Sequence, residues 1–175
     1  MNPTLYYYRI KVGDDLNKGQ GTASTVVAGL QWILQNKNTY NIRVVNMSLN
    51  SSVAESYHSN PINAAVEILW FNKIVVVVSA GNAGSGAIYP PANDPFVITV
   101  GATDDRGTKS TGDDFIPAFS AYGKTSDGFV KPDLVAPGTN IVGLTGNFGI
   151  GMQADHPTNV IGNGAYFRMS GTSAA

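Results

Sequence analysis

The chain has 175 residues, of which 43% are hydrophobic and 13% charged, with 20 glycines, no cysteine and a formal net charge of −1. That length holds one domain with a substantial core, taken here as residues 1–175. The near-neutral balance gives no electrostatic footprint for nucleic acid or an anionic membrane, and the lack of cysteine excludes disulfides, thiolate metal sites and a thiol nucleophile.

In chain order, Met1 to Tyr8 lacks the basic and long apolar regions of a signal peptide. Tyr6 to Val12 reads as a short strand and Gly13 to Gly21 as a loop. From Thr22 onward, Val26, Val27, Leu30, Ile33 and Leu34 recur at helical spacing. Val44 to Met47 reads as a buried strand. Asn60 before Pro61 is a helix start, the Asn capping and the Pro taking the first helical position, and Ile62, Ala65, Val66, Leu69 and Trp70 carry its apolar stripe.

Ile74 to Val78 is a continuous β-branched run, as a central parallel strand requires, and is far too short to span a bilayer. Phe96 to Val100 is a second such run, and Leu134 to Ala136 and Ile141 to Leu144 are shorter ones. Strands alternating with helices point to βαβ units and a mostly parallel sheet. Gly171 to Ala175 reads as the first residues of a helix.

Two stretches have chemical character. Ser79-Ala80-Gly81-Asn82 follows a buried strand, and ligands bind outside the carboxyl ends of strands in open α/β sheets. Gly81 lets a substrate backbone approach, and the Asn82 carboxamide can aim an N–H at developing negative charge. In Gly171-Thr172-Ser173, a serine at a helix start has a free backbone N–H, a favourable dipole and small neighbours. Taken singly, the first also reads as an ordinary Gly-Asn turn and the second as an ordinary serine cap.

Together they resemble the subtilase family of subtilisin-like serine peptidases. Val45-Asn46-Met47-Ser48-Leu49 looks like its substrate-flanking strand, and Val75 to Asn82 with Ala83-Gly84 is similar to its oxyanion-asparagine segment. Val97 to Ala102, Lys131 to Gly138 and Met169 to Ser173 match the later strand, the approach to the nucleophile and the nucleophile, in the family's order. The resemblance implies a three-layer α/β subtilisin-like fold with a mostly parallel sheet, truncated at both ends. It implies Ser173 as nucleophile and Asn82 with the Ser173 N–H as oxyanion donors. Ser48 and Leu49 would pair with an extended polypeptide substrate, with Ala80 and Gly81 on the opposite wall. It also implies secretion.

The family's Asp-Thr-Gly and His-Gly-Thr-His contexts have no counterpart here. His58 reads as a surface residue, and His156, beside Asp155 in a Gly-rich loop, is the weak alternative as a surrogate base. Without a base Ser173 is a poor nucleophile, so the chain alone is expected to be inactive. Asn50 stands where the family usually has Gly, and Ala174 where Met is frequent. No cofactor is required. Structural calcium is retained as a candidate without assigned ligands, since the pairs Asp14-Asp15, Asp104-Asp105 and Asp113-Asp114 read first as solvated loops. Apolar surface left open by truncation is expected to drive homo-oligomer formation.

Rival enzymes fit poorly. Gly81, Gly84 and Gly86 lack dinucleotide-binding spacing and precede Pro90-Pro91 instead of a helix, while Ala175 breaks the G-x-S-x-G of an α/β-hydrolase. The second reading from a different class is a non-catalytic fragment or pseudopeptidase with a peptide-binding or assembly role.

Overall fold

The computed structural model describes residues 5–13, 19–146 and 150–175. A four-stranded parallel sheet in the order β1-β2-β3-β6 forms its centre. The strands are β1 (Val44–Met47), β2 (Val75–Ser79), β3 (Ile98–Thr103) and β6 (Leu134–Pro137). Between β3 and β6 lies a two-stranded hairpin of β4 (Gly123–Lys124) and β5 (Val130–Lys131). After β6, β7 (Ile141–Leu144), β8 (Val160–Ile161) and β9 (Tyr166–Met169) make a small antiparallel sheet in the order β7-β9-β8.

Helix α1 (Ala23–Asn36) starts where Thr22 caps it, the Thr22 hydroxyl accepting from the Thr25 N–H. Helix α2 (Pro61–Phe71) starts as its sequence dictates: the Asn60 side chain accepts from the N–H groups of Ile62 and Asn63, with Pro61 at the first turn. Both helices turn their apolar stripes to one face of the sheet. Val26, Leu30 and Ile33 of α1 and Ile62, Val66 and Leu69 of α2 join Val45, Met47, Val76 and Val78 in one core. The alternation within β1, Val45 and Met47 buried and Val44 exposed, is the period-two signature of a strand covered on one side. A short α3 (Ile150–Asp155) and a 3-10 turn at Pro157–Asn159 lie beyond the sheet.

The α/β class, the parallel sheet, β1, α2 and β7 appear where the sequence places them. Three expectations are corrected. Tyr6 to Val12 is not a strand: Ile10 and Val12 lie on α1 at Gly29, where an added Cβ would stand 2.7 Å from Val12 Cγ1. The Val12 carbonyl accepts from the Thr25 hydroxyl at 3.1 Å, so it is satisfied by α1 with no ladder. Among the described residues only β1-α2-β2 is a helical crossover; β2 to β3 and β3 to β6 run through irregular segments or the hairpin. Buried side chains take over there: the Thr99 hydroxyl donates to Ala92 O at 2.8 Å, and the Ala102 N–H to Ser120 Oγ at 2.8 Å. Finally, Gly171 to Ala175 is a turn closed by the Ala174 N–H on Gly171 O at 3.0 Å, not a helix. Asp14 and Asp15 lie outside the described residues.

Candidate functional site

At the carboxyl end of β2 the chain must turn out of the sheet, and Gly81 makes that turn at φ +104°, a conformation L side chains rarely adopt. The turn is bonded on two sides: the Ala80 N–H donates to Val100 O on β3 at 2.8 Å, and the Asn50 side-chain amide to Ser79 O at 3.1 Å. Asn82 is thereby delivered, exposed, to the rim of the sheet.

The Ser173 turn arrives from the far end of the chain. Gly171 N–H donates to Gly138 O at 2.8 Å, just past β6, and the Asn140 N–H to Ser170 Oγ at 2.9 Å. An added Cβ on Gly138 would stand 2.7 Å from Ala102 Cβ and 2.9 Å from Gly171 O, so only glycine lets the turn seat this closely on the sheet.

Thr172 joins the two segments. Its N–H donates to Asn82 Oδ1 at 2.9 Å, its hydroxyl donates to the same oxygen at 3.1 Å, and that hydroxyl accepts from the Gly81 N–H at 3.1 Å. A backbone N–H can only donate, so the Asn82 atom facing it must be the oxygen. The Nδ2 group is then the outward one, beside Gly171, where an added Cβ would lie 3.4 Å away. Neither Asn82 Nδ2 nor the Ser173 N–H has a hydrogen-bond partner among the described residues. Two unengaged donors therefore lie at Gly171, one of them the N–H of exposed Ser173.

Thr172 is 2% exposed, which protects this junction from water. Its bridging role was missed in the sequence, where it stood only as the neighbour of Ser173. The one signal was its type, a hydroxyl able to donate and accept at once.

Ser48 and Leu49 follow β1, on the same rim. Ser48 Oγ lies 3.5 Å from Ser173 O, which brings the first of them to the serine turn, and Leu49 is half-buried against the core. Gly81 is half-buried at the turn, but the Ala80 methyl is fully buried in the core, so of this pair only Gly81 faces the rim. None of Ser48, Leu49, Gly81, Asn82, Thr172 and Ser173 carries a charge. Asn50, in place of the family's usual glycine, is folded back on Ser79 by its amide.

Neither histidine hydrogen-bonds Ser173 among the described residues. His58 is exposed and packs against Tyr57 with ring centroids 3.9 Å apart and the rings tilted by 34°, while the His156 N–H donates to Met152 O at 2.9 Å at the end of α3. Among the described residues no three acidic or histidine side chains gather closely enough to hold a metal. Asp104, Asp105 and Asp113 spend oxygens on the Arg106 N–H, the Gly107 N–H and the Thr108 hydroxyl, bracing their own loops. No helix among the described residues is long and apolar enough to cross a membrane.

Comparisons with known proteins bear on the family and the fold. A family model described as the subtilase family matches residues 2–175. Serine protease AprX of Bacillus subtilis (strain 168) is 39% identical, over 91% of this chain and 38% of its own length. Subtilisin Savinase of Lederbergia lenta is 30% identical, over 79% of this chain and 43% of its own. Among solved structures, the S41 psychrophilic protease superposes with a TM-score of 0.65 at 26% identity, over 90% of this chain and 47% of that one. Sphericase, at 22% identity and a TM-score of 0.64, shares the fold. The chain thus spans less than half the length of these relatives. With that family's model covering all but its first residue, the chain belongs to the subtilases.

Proposed function

We propose that this chain supplies the nucleophile and oxyanion half of a serine endopeptidase site. The supporting observation is the pair of unengaged donors, Asn82 Nδ2 and the Ser173 N–H, beside the exposed Ser173 hydroxyl. In the reaction, Ser173 Oγ adds to a peptide carbonyl carbon, its proton passing to a base, and the carbonyl oxygen becomes an anion held by those donors. Collapse expels the amine and leaves an ester on Ser173, which water then hydrolyses. The substrate is an extended polypeptide lying along Ser48 and Leu49 and passing the Gly81 backbone. No cofactor enters, and calcium, if bound, is structural. In this reading the enzyme works outside the cell.

The base is not among the described residues, so the 175-residue chain alone is inactive in this reading. That same observation favours the second reading, a non-catalytic peptide-binding or assembly module. A fluorophosphonate probe and casein separate the two. The chain alone should neither label nor cleave, and a polypeptide from the same gene that includes an Asp-Thr-Gly and a His-Gly-Thr-His context should label at Ser173 and cleave. Labelling of the chain alone would contradict its inactivity. A gene with no such contexts, or a folded longer product that stays unlabelled, hands the case to the non-catalytic reading.

A further inference from the structure

The loop that leaves the cleft after Leu49 does not hang free. Its first residues are tied to the β2 side by the Asn50 amide on Ser79 O and the Ser51 N–H on Pro90 O at 2.7 Å. At its centre Glu55 is tied on two sides, the Asn60 amide at the start of α2 donating to Glu55 Oε1 at 2.8 Å and the Asn93 amide, from the loop before β3, to Glu55 O at 2.8 Å. The next two residues are held by one far off in sequence. Asp127 accepts from the Ser56 hydroxyl at 2.6 Å through Oδ1 and from the Tyr57 N–H at 3.0 Å through Oδ2, and Phe129 meets the Tyr57 ring edge-on at 5.8 Å.

Asp127 sits at the tip of the β4–β5 hairpin, which is itself stiff. Within the tip, the Thr125 N–H donates to Phe129 O at 2.8 Å and the Gly128 N–H to Thr125 O at 3.0 Å. At the root, buried Lys131 donates to Val97 O at 3.0 Å and pairs with Asp133 at 2.7 Å. The strand entering the hairpin is bonded to the Asn82 segment: the Ala121 N–H to Gly81 O at 3.0 Å, the Tyr122 N–H to Gly84 O at 3.3 Å and the Gly86 N–H to Tyr122 O at 3.2 Å. One rigid arm thus grips the oxyanion segment at its base and the cleft loop at its tip.

We infer that Asp127 is a positioning residue that fixes the Ser51–Ser59 loop as a wall of the peptide-binding cleft, setting its distance from the Gly81–Asn82 wall through the β4–β5 hairpin. It touches no reacting atom. The inference rests on the endopeptidase reading for its consequence, tighter peptide binding, but not for the brace itself.

The test has two arms. Amide exchange in the protein should rise about tenfold at Tyr57 in Asp127→Ala, which loses both acceptor oxygens, and less at Tyr57 in Ser56→Ala, which keeps the Tyr57 N–H on Asp127 but loses the Ser56 hydroxyl's bond to it and the acceptor of the His58 N–H. Exchange in β2 should stay unchanged in both. In the proteolytically active polypeptide, Asp127→Ala should raise KM for a chromogenic tetrapeptide anilide about tenfold at unchanged kcat, with Asp127→Asn, which keeps an acceptor oxygen, in between. Should Asp127→Ala fail to fold, Ser56→Ala reads the same brace. Unchanged exchange at Tyr57 overturns the brace. Loosened exchange with a loss confined to kcat overturns the positioning role. A wild-type polypeptide that cleaves nothing overturns the cleft role and the endopeptidase reading together, while the exchange arm still reports whether the brace exists.

Discussion

Thr172 shows how a single side chain sets the chemistry of its neighbours. By offering two donors to Asn82 Oδ1 it fixes which end of the carboxamide points outward, and by accepting from Gly81 it locks the turn that carries Asn82. Thr172→Val keeps the shape and removes the hydroxyl, leaving the Gly81 N–H without its acceptor. Such a loss costs about 1–3 kcal/mol. Denaturant unfolding should show that destabilisation for Thr172→Val and little for Thr172→Ser. An unchanged midpoint for the valine variant would mean the bridge carries no weight. Ser173 and Asn82 stand out in the sequence because each sits in a distinctive local run. Thr172, Gly138 and Asp127 were not, because their roles are partnerships across many residues that no local pattern records.

At the scale of elements, legibility followed how self-sufficient each element is. Asn60-Pro61 carries its own cap and start, and α2 begins there. Tyr6 to Val12 has strand-forming residues, but pairing needs a neighbour, and the neighbour it finds is α1. The loop before β3 and α2 share a polar cluster that sequence patterning hides: Asn63 of α2 and Asn93 and Asp94 of the loop are all fully buried, the Asn63 amide donating to Asn93 Oδ1 at 3.0 Å and Asp94 Oδ2 at 2.9 Å. Burial raises the Asp94 carboxyl above its ordinary range, although the Asn63 and Phe96 hydrogen bonds and the charge of Lys131 oppose it. Desolvation raises Glu67 likewise.

An acid whose folded pKa is raised contributes stability that is fully present below its unfolded value, about 3.9 for Asp, and is lost as pH rises through the folded value. Asp127 has the opposite sign. The Ser56 hydroxyl first, then the Tyr57 N–H, the Ser126 hydroxyl and the charge of His58, hold it below its ordinary range against some desolvation, so its contribution is lost only as pH falls through that lowered value. Unfolding free energies followed upward from about pH 4 should therefore decline less steeply in Asp94→Asn than in the parent. Equal slopes would show that Asp94 is not the group responsible.

For the whole molecule, the family and the sheet were legible while the surface was not. Among the described residues β1 and β6 are the sheet's two edges, each paired on one side only. Val44 is 59% exposed, Leu134 47% and Leu144 82%. A groove of about 850 Å³ opens where Tyr6 to Tyr8, Ile10 and α1 meet β1. Exposed edges and apolar faces favour pairing with a second copy. Size-exclusion chromatography of the 175-residue chain should show a dimer or larger species, and a stable monomer across concentrations would contradict that.

The account stands on Asn82 and the Ser173 turn forming one site although 90 residues separate Asn82 from Thr172. Backbone amide exchange at Thr172, compared between the parent and Asn82→Leu, reads that contact directly. The Thr172 N–H should be protected in the parent and exchange at least about tenfold faster in the variant, with β2 unaffected. A Thr172 amide that exchanges equally fast in both would contradict the convergence, and with it the assignment of these two segments to a common oxyanion site.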